Sequence, residues 1–303
     1  MARILHAADI HLDSPLQKLA RYEGAPVDKI RGASRRALEA MADLAIRQQV
    51  DLVVIAGDLY DGDWVDQNTG LFFVRIAGQL VSAGIPLVVI RGNHDAANVM
   101  TRSLPLPKNP DGSGIVLSAK RPETRVFDSI DVAVHGRSFP TRAVTENLAV
   151  DYPSPHNGYF NLGLLHTALT GAEGHDTYSP CTPEYLTQKG YDYWALGHIH
   201  TPADHALEGG PPIVFPGNLQ GRHAGECGAR GCRIIEFDAS GKLKQQFHCI
   251  DLVRWERCQL DVSSIDHVDD VADLYRDYLE AGLAAAMNSD ASGSFENAFA
   301  AAL

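Results

Sequence analysis

Residues 51–61 read DLVVIAGDLYD: an unbroken apolar run from Leu52 to Ala56, then a glycine, then an aspartate. A strand with no polar alternation is covered on both faces, which is the habit of parallel sheets built from β-α-β units. The same design recurs on either side. Residues 2–11 (ARILHAADIH) and 86–95 (PLVVIRGNHD) are apolar runs that end in Asp9-Ile10-His11 and Gly92-Asn93-His94-Asp95. Helical spacing over 29–49 and 66–83 fills the intervals, so the first third of the chain reads β-α-β-α-β.

Further along, Pro, Gly, Asn, Asp and Ser dominate residues 97–125, the composition of a long surface loop. Strands are expected near 131–135 and 159–165, then at YDYWALG (191–197) and PPIVFPG (211–217). GCRIIEFD (231–238) and KLKQQFHCI (242–250) follow without a helix between them and turn at Ser240-Gly241, so part of the second half is antiparallel. Residues 268–283 place Val271, Leu274, Tyr275, Tyr278 and Leu279 on one helical face, and the small-residue end, SDASGSFENAFAAAL, reads as weakly structured. The fold class is α/β.

Of the 303 residues, 45% are hydrophobic and 21% charged, which excludes global disorder. Lys plus Arg number 26 and Asp plus Glu 38, a formal charge of −12 that lacks the basic footprint of a passive nucleic-acid binder. No signal-peptide core and no run of 18 apolar residues occurs, so a cytoplasmic protein with no membrane partner is expected. The five cysteines form no C-x-x-C pair and are expected to be reduced thiols.

Chemistry concentrates at the strand ends. Besides Asp9/His11, Asp58 and Asn93/His94, the strand at 159–165 runs into His166, and YDYWALG runs into His198-Ile199-His200. Sites in open α/β sheets form at the carboxyl ends of strands. The i, i+2 spacing of Asp9/His11 and His198/His200, in extended backbone, sends both members of each pair to one side. The glycines before Asp58, Asn93 and His198 suit turns that a Cβ would oppose. Any one cluster alone is equally a turn or a strand-end pair. Together, Asp9, His11, Asp58, Asn93, His166, His198 and His200 are seven carboxylate, amide and imidazole donors with no thiolate. Seven exceed one tetrahedral site and suit two divalent ions that share a carboxylate, with manganese, iron or zinc preferred over calcium or copper(I).

At these residues the sequence resembles the calcineurin-like metallophosphoesterases, whose motif series D-x-H, G-D-x-x-D, G-N-H-D/E, H, G-H-x-H is matched from Asp9 to His200. Within that superfamily it is most similar to DNA repair exonucleases of the SbcD/YhaO type, through HAADIHLDSPL, AVHGRSF (133–139), YDYWALGHIHTP and FPGNLQGRHAGECGARGC (215–232). The resemblance implies a two-sheet sandwich flanked by helices over 1–260, followed at 261–303 by part of a capping domain, its first helix near 266–285, and the weakly structured tail. It places one ion, most naturally manganese, on Asp9, His11 and His200 and the other on Asn93, His166 and His198, with Asp58 bridging. His94 takes the place of the family's catalytic histidine and Asp61 that of the carboxylate orienting it, while Asp95 either takes that role instead or closes the turn. Arg222, His223 and Arg137 are the candidate substrate contacts, with Arg230 in the same glycine-rich segment as Arg222. Phe139 is either a base-stacking or a core aromatic.

The resemblance implies hydrolysis of DNA phosphodiesters, with a small nucleotide or other small diester as the alternative substrate. It further implies a homodimer through the helices after the first two strands and an ATPase partner of the SbcC/YhaN kind, whose docking segment is not recognisable in this chain. Two divalent ions would bring the −12 to roughly −8 and make the cleft locally positive, so the acidic composition does not exclude DNA.

Overall fold

The computed structural model describes residues 1–14, 32–61, 66–97, 104–169, 177–238, 241–263, 265 and 267–289. In chain order its elements are β1 (Ala2–Ala7), α1 (Ala33–Arg47), β2 (Leu52–Ala56), α2 (Gln67–Ser82), β3 (Leu87–Ile90), α3 (Asn93–Ala97), β4 (Glu123–Phe127) and β5 (Val132–Gly136). After a short 3-10 turn (Leu148–Asp151) come β6 (Phe160–His166), α4 (Pro183–Gln188), β7 (Tyr193–Gly197), β8 (Ala203–Asp204), β9 (Ile213–Phe215), β10 (Gly231–Phe237), β11 (Leu243–Cys249) and α5 (Val268–Ser289).

Two sheets result, ordered β11-β10-β1-β2-β3 and β4-β5-β6-β7-β9-β8. In the first, β1, β2 and β3 are parallel, with Leu5 beside Val53 and Val54 beside Val88, and β10 closes onto β1 antiparallel. In the second, β5, β6, β7 and β9 are parallel, while β4 and β8 are antiparallel edges. The mixed character expected of the second half is present, and so is the β10–β11 hairpin, although Ser240 of its turn lies outside the described residues.

The unbroken apolar runs are explained by three buried layers. Along β2, Leu52, Val54 and Ala56 face the second sheet, packed with Ile4, Val88, Val134, Leu164 and Val214. The alternate residues Val53 and Ile55 face α1 and α2, against Leu38, Met41, Phe73 and Ile76. On the far side of the second sheet, Trp194, Leu196 and Phe215 are covered by Phe139, Leu148, Tyr152 and Leu186. The architecture is therefore α/β, two sheets face to face with helices outside them.

Four elements have no counterpart in the expected series: β4, β8, α3 and α4. Only Phe127 of β4 is buried, so its sequence ETRVF carries no apolar run. The Pro183–Gln188 helix starts at Thr182, whose hydroxyl accepts from Tyr185 N, a local cap rather than a periodic pattern. Residues 29–31 of the first expected helix, 98–103 of the long loop and the tail from 290 lie outside the described residues. All five cysteines are free, and among the described residues no helix is long and apolar enough to cross a membrane.

Candidate metal centre

The loops after β1 and β2 lie side by side. Asp9 N donates to Gly57 O at 3.0 Å, His11 N to Asp58 O at 3.0 Å and Leu12 N to Leu59 O at 2.9 Å. Within them Asp9, His11 and Asp58 have φ of 50°, 44° and 51°, and His198, beyond β7, has φ of 105°. These are not the extended conformations expected for Asp9-x-His11 and His198-x-His200. The pairs reach one centre because the chain curls through left-handed backbone held by the neighbouring loop. Such non-glycine conformations cost of order 1–3 kcal/mol each and persist only where surrounding contacts fix them.

The three glycines also divide in role. Gly57 has φ of 94° and meets the conformational expectation. Gly92 and Gly197 act through space instead: a Cβ on Gly92 would lie 2.2 Å from Asp58 Oδ1, and one on Gly197 2.0 Å from Ala56 O.

The donors converge in overlapping groups. Asp9, His11 and His200 each offer a ligand atom within 4.8 Å of the others, as do Asp58, His166 and His198. His11, Asp58 and His94 form a third group that joins them. Asn93 enters through Oδ1, 3.0 Å from His166 Nε2, and Asp58 Oδ2 lies 3.4 Å from the same nitrogen and 3.9 Å from His11 Nε2. All seven donors are thus brought together, with Asp58 in reach of both His166 and His11. Asp9 also holds the backbone, both its carboxylate oxygens accepting from His198 N at 3.0 Å.

Proton placement shows that a cation fits. His11 Nδ1 is 2.9 Å from Asp61 Oδ1 and His200 Nδ1 is 2.7 Å from Glu226 Oε1. A carboxylate only accepts, so both Nδ1 atoms carry hydrogen. Their Nε2 atoms then face each other as lone pairs 3.2 Å apart. That separation suits two ligands on one ion at about 2.1 Å each. His166 repeats the pattern: Nδ1 donates to Ala56 O at 2.8 Å, which turns Nε2 toward two further acceptors, Asn93 and Asp58.

The electrostatics agree. Burial alone would raise the Asp58 carboxyl, but His166, His11 and His94 outweigh it and hold the group ionised far below its usual range. Burial disfavours a charge on His166, yet Asp58 and Asp9 hold it up at about 9. Asp9, buried, is pushed up to about 6 despite His200 and His166, and burial with nearby Arg222 brings His11 down to about 4. Buried carboxylates beside imidazoles that are already hydrogen-bonded at Nδ1 call for positive charge at the centre.

His94 opens onto this centre with its side chain 30% exposed, and its Nδ1 lies 3.2 Å from Asp61 Oδ1. Asp61 therefore touches both His94 and the ligand His11, and Ser14 Oγ donates to it. Burial opposes the charge on Asp61, but His11 and Ser14 keep the carboxyl well below its ordinary range. Asp95 is placed differently. It accepts from the backbone N–H groups of Leu59, Tyr60 and Gly92 at 3.1, 2.9 and 3.1 Å, which is the turn-closing role.

Among the candidate substrate contacts, Arg222 sits at the rim, Nη1 3.6 Å from Asp61 Oδ1, and His223 beside it has its side chain 60% exposed. Arg230 turns inward, donating to His200 O and Cys227 O, so it braces the loop instead of facing a ligand. The Arg137 guanidinium donates to Ala119 O and to Asp151. Phe139 is 1% exposed and packs edge-on to His166 at 5.3 Å, a core position. The residue overlooked in sequence is Glu226. It lies inside the glycine-rich segment, but only the folded loop brings it against His200.

A two-sheet sandwich with this donor set matches the calcineurin-like phosphoesterase family model over residues 2–202, and the chain belongs to that family. It is 34% identical over 262 residues to YhaO, an uncharacterized metallophosphoesterase of Bacillus subtilis, covering 86% of this chain and 63% of that protein. It is 28% identical over 264 residues to the DNA double-strand break repair protein Mre11 of Methanopyrus kandleri, covering 81% and 56% respectively. The chain thus spans about three fifths of the length of these relatives. Among solved structures, a dimetal phosphatase from Danio rerio aligns with a TM-score of 0.47 at 11% identity, covering 77% of this chain and 92% of that one.

Proposed function

We propose that the chain is a binuclear, manganese-dependent phosphodiesterase whose substrate is DNA, cleaved as an exonuclease or endonuclease in repair. The observation that carries the metal part is the pair of facing Nε2 lone pairs of His11 and His200, 3.2 Å apart, with both Nδ1 protons committed to carboxylates. The DNA part is supported by the likeness to Mre11 repair proteins. Two bound divalent ions supply Lewis-acid polarisation of the phosphodiester and an acidified water.

The chain's own residues do the rest. His94 donates Nδ1–H to Asp61, which leaves Nε2 directed to the cleft as the group that hydrogen-bonds the scissile phosphate or protonates the leaving oxygen. Arg222 places a guanidinium at the rim, where a non-bridging phosphate oxygen meets it. Residues 1–260 form the hydrolytic unit and 261–303 the start of a cap, with a second copy of the chain and an SbcC/YhaN-type ATPase as partners in the cytoplasm.

A small nucleotide diester is the second reading, favoured by the formal charge of −12. Metal-stripped protein reloaded with Mn²⁺ and assayed in parallel on linear duplex DNA, single-stranded DNA and bis-p-nitrophenyl phosphate separates the two. Cleavage of DNA that chelation abolishes is expected. Turnover of the small diester with neither DNA cut would reject the nuclease reading and keep the metal centre.

A further inference from the structure

Glu226 is buried, its side chain 8% exposed, in the glycine-rich segment between β9 and β10. Both carboxylate oxygens are fully used. Oε1 accepts from His200 Nδ1 at 2.7 Å and from Arg222 Nη2 at 3.2 Å. Oε2 accepts from Arg222 N at 2.7 Å and from Asn218 Nδ2 at 2.9 Å. Arg222 Nη2 also approaches His200 Nδ1 to 3.2 Å, but an unprotonated Nδ1 would set its lone pair against Glu226 at 2.7 Å, so the proton is on Nδ1 and goes to Glu226.

Withdrawing a carboxylate from water is costly unless every lone pair is matched, and a site that only needed filling would take an amide or an apolar side chain at lower cost. The charge is retained here, opposite a metal-facing imidazole. His11 has the same arrangement with Asp61. The two imidazoles of one triad are therefore each held at Nδ1 by a different carboxylate, whereas His166 in the other triad leans on a backbone carbonyl, Ala56 O.

We infer that Glu226 is a positioning residue of the metal centre: it accepts Nδ1–H of His200, aims that Nε2 at the position shared with Asp9 and His11, and ties Arg222 to the same ligand. The inference rests on the metal-centre reading above and deepens it. It assigns to the Gly221–Glu226 loop control over one of the two ion positions. The other position, on Asp58, Asn93, His166 and His198, is independent of that loop. It also couples the rim cation to the metal: the Arg222 N–H and guanidinium are held by the carboxylate that orients His200, so displacing Glu226 disturbs both together. Outer carboxylates of this kind raise ligand basicity, and their loss typically weakens metal binding about 10- to 100-fold.

The test uses the full chain, metal-stripped, as wild type, Glu226→Gln and Glu226→Ala. Mn²⁺ binding is followed calorimetrically, and the His200 tautomer is read in the metal-free protein by ¹⁵N-histidine NMR, assigned against His200→Gln. One binding step is expected to weaken about tenfold in Glu226→Gln and about 100-fold in Glu226→Ala, the range typical of such partners, with the other step unchanged. The metal-free melting temperature should hold in Glu226→Gln, and His200 should lose its uniform Nδ1–H tautomer in Glu226→Ala. Unchanged binding steps and tautomer in both variants would overturn the inference. So would an equal weakening of both steps accompanied by lowered melting, which is the mark of a packing role. If the wild type itself binds no Mn²⁺, the metal reading fails, and the NMR result alone decides whether Glu226 orients His200.

Discussion

Asp61 links two imidazoles of the proposed centre, because one carboxylate oxygen lies against both His11 and His94. It accepts from the metal-facing His11 at 2.9 Å and from the cleft-facing His94 at 3.2 Å. His94 is the group whose removal should separate chemistry from metal binding. His94→Ala is expected to lower kcat on bis-p-nitrophenyl phosphate by about 10²- to 10⁴-fold, the usual contribution of a positioned proton donor. Mn²⁺ affinity should stay close to wild type, measured on the same preparation. Unchanged turnover with metal retained would remove His94 from the reaction. The pairing of His94 with Asp61 was legible as a motif, since Gly-Asp-x-x-Asp and Gly-Asn-His-Asp stand at successive strand ends. The tasks of Glu226 and Ser14 were not, because each depends on a contact between segments far apart in sequence, Glu226 with His200 and Ser14 with Asp61.

At the scale of elements, β1 and β7 are joined through the middle of the sandwich by His6, which is fully buried. Its Nε2–H donates to Leu196 O at 3.2 Å and its Nδ1 accepts from Tyr193 Oη–H at 3.2 Å. Burial, reinforced by Arg233, brings this imidazole down to about 3 from 6.5, so the folded state keeps it neutral where the unfolded chain is protonated. Stability from this group is fully present above pH 6.5 and is lost progressively as pH falls toward 3. Between pH 7 and pH 5 the loss is about 2 kcal/mol, at 1.36 kcal/mol per unit once the unfolded imidazole is protonated. His6→Gln supplies an amide donor and an acceptor at the same place and does not titrate. Urea denaturation of the metal-free proteins at the two pH values should show a pH dependence smaller by about that amount in the variant, and identical slopes would refute this account. The sequence analysis assigns His6 no role, and its position between the sheets places it in the core.

For the whole molecule, the candidate donors run from Asp9 to His200 and the side chains that hold them reach Glu226, so every residue of the proposed centre lies within the sandwich. α5 lies outside it. Its side chains Val271, Leu274, Tyr275 and Leu279 are only half-buried, Val268 and Tyr278 are exposed, and Tyr278 Oη donates to Arg257 O at 3.2 Å. The amphipathic face read from the sequence is present, but this chain does not bury it as a core face. Ending the chain after residue 260 should therefore leave turnover of bis-p-nitrophenyl phosphate within about twofold of the full chain. A larger loss with Mn²⁺ binding intact would show that the C-terminal segment acts on the centre itself.

Sequence alone determined the α/β class and the order of nearly all the strands, and it singled out the seven candidate donors that the structure brings together. Those features are written in local patterns: apolar runs long enough for buried strands, and polar residues immediately after them. It also indicated two ions, because donor number and type follow from composition at the strand ends. Tertiary structure decided how the donors meet. Asp9, His11 and Asp58 come together through left-handed backbone that the adjoining loops hold, not through extended spacing. It decided which polar residues of the same motifs serve the fold, Asp95 closing a turn and Arg230 bracing a loop, and which face the centre. It also brought Glu226 against His200 across 26 residues. The physical reason is one of range: burial and backbone propensity act between near neighbours and leave a trace in sequence, whereas the direction of a lone pair depends on which distant carboxylate takes the other proton.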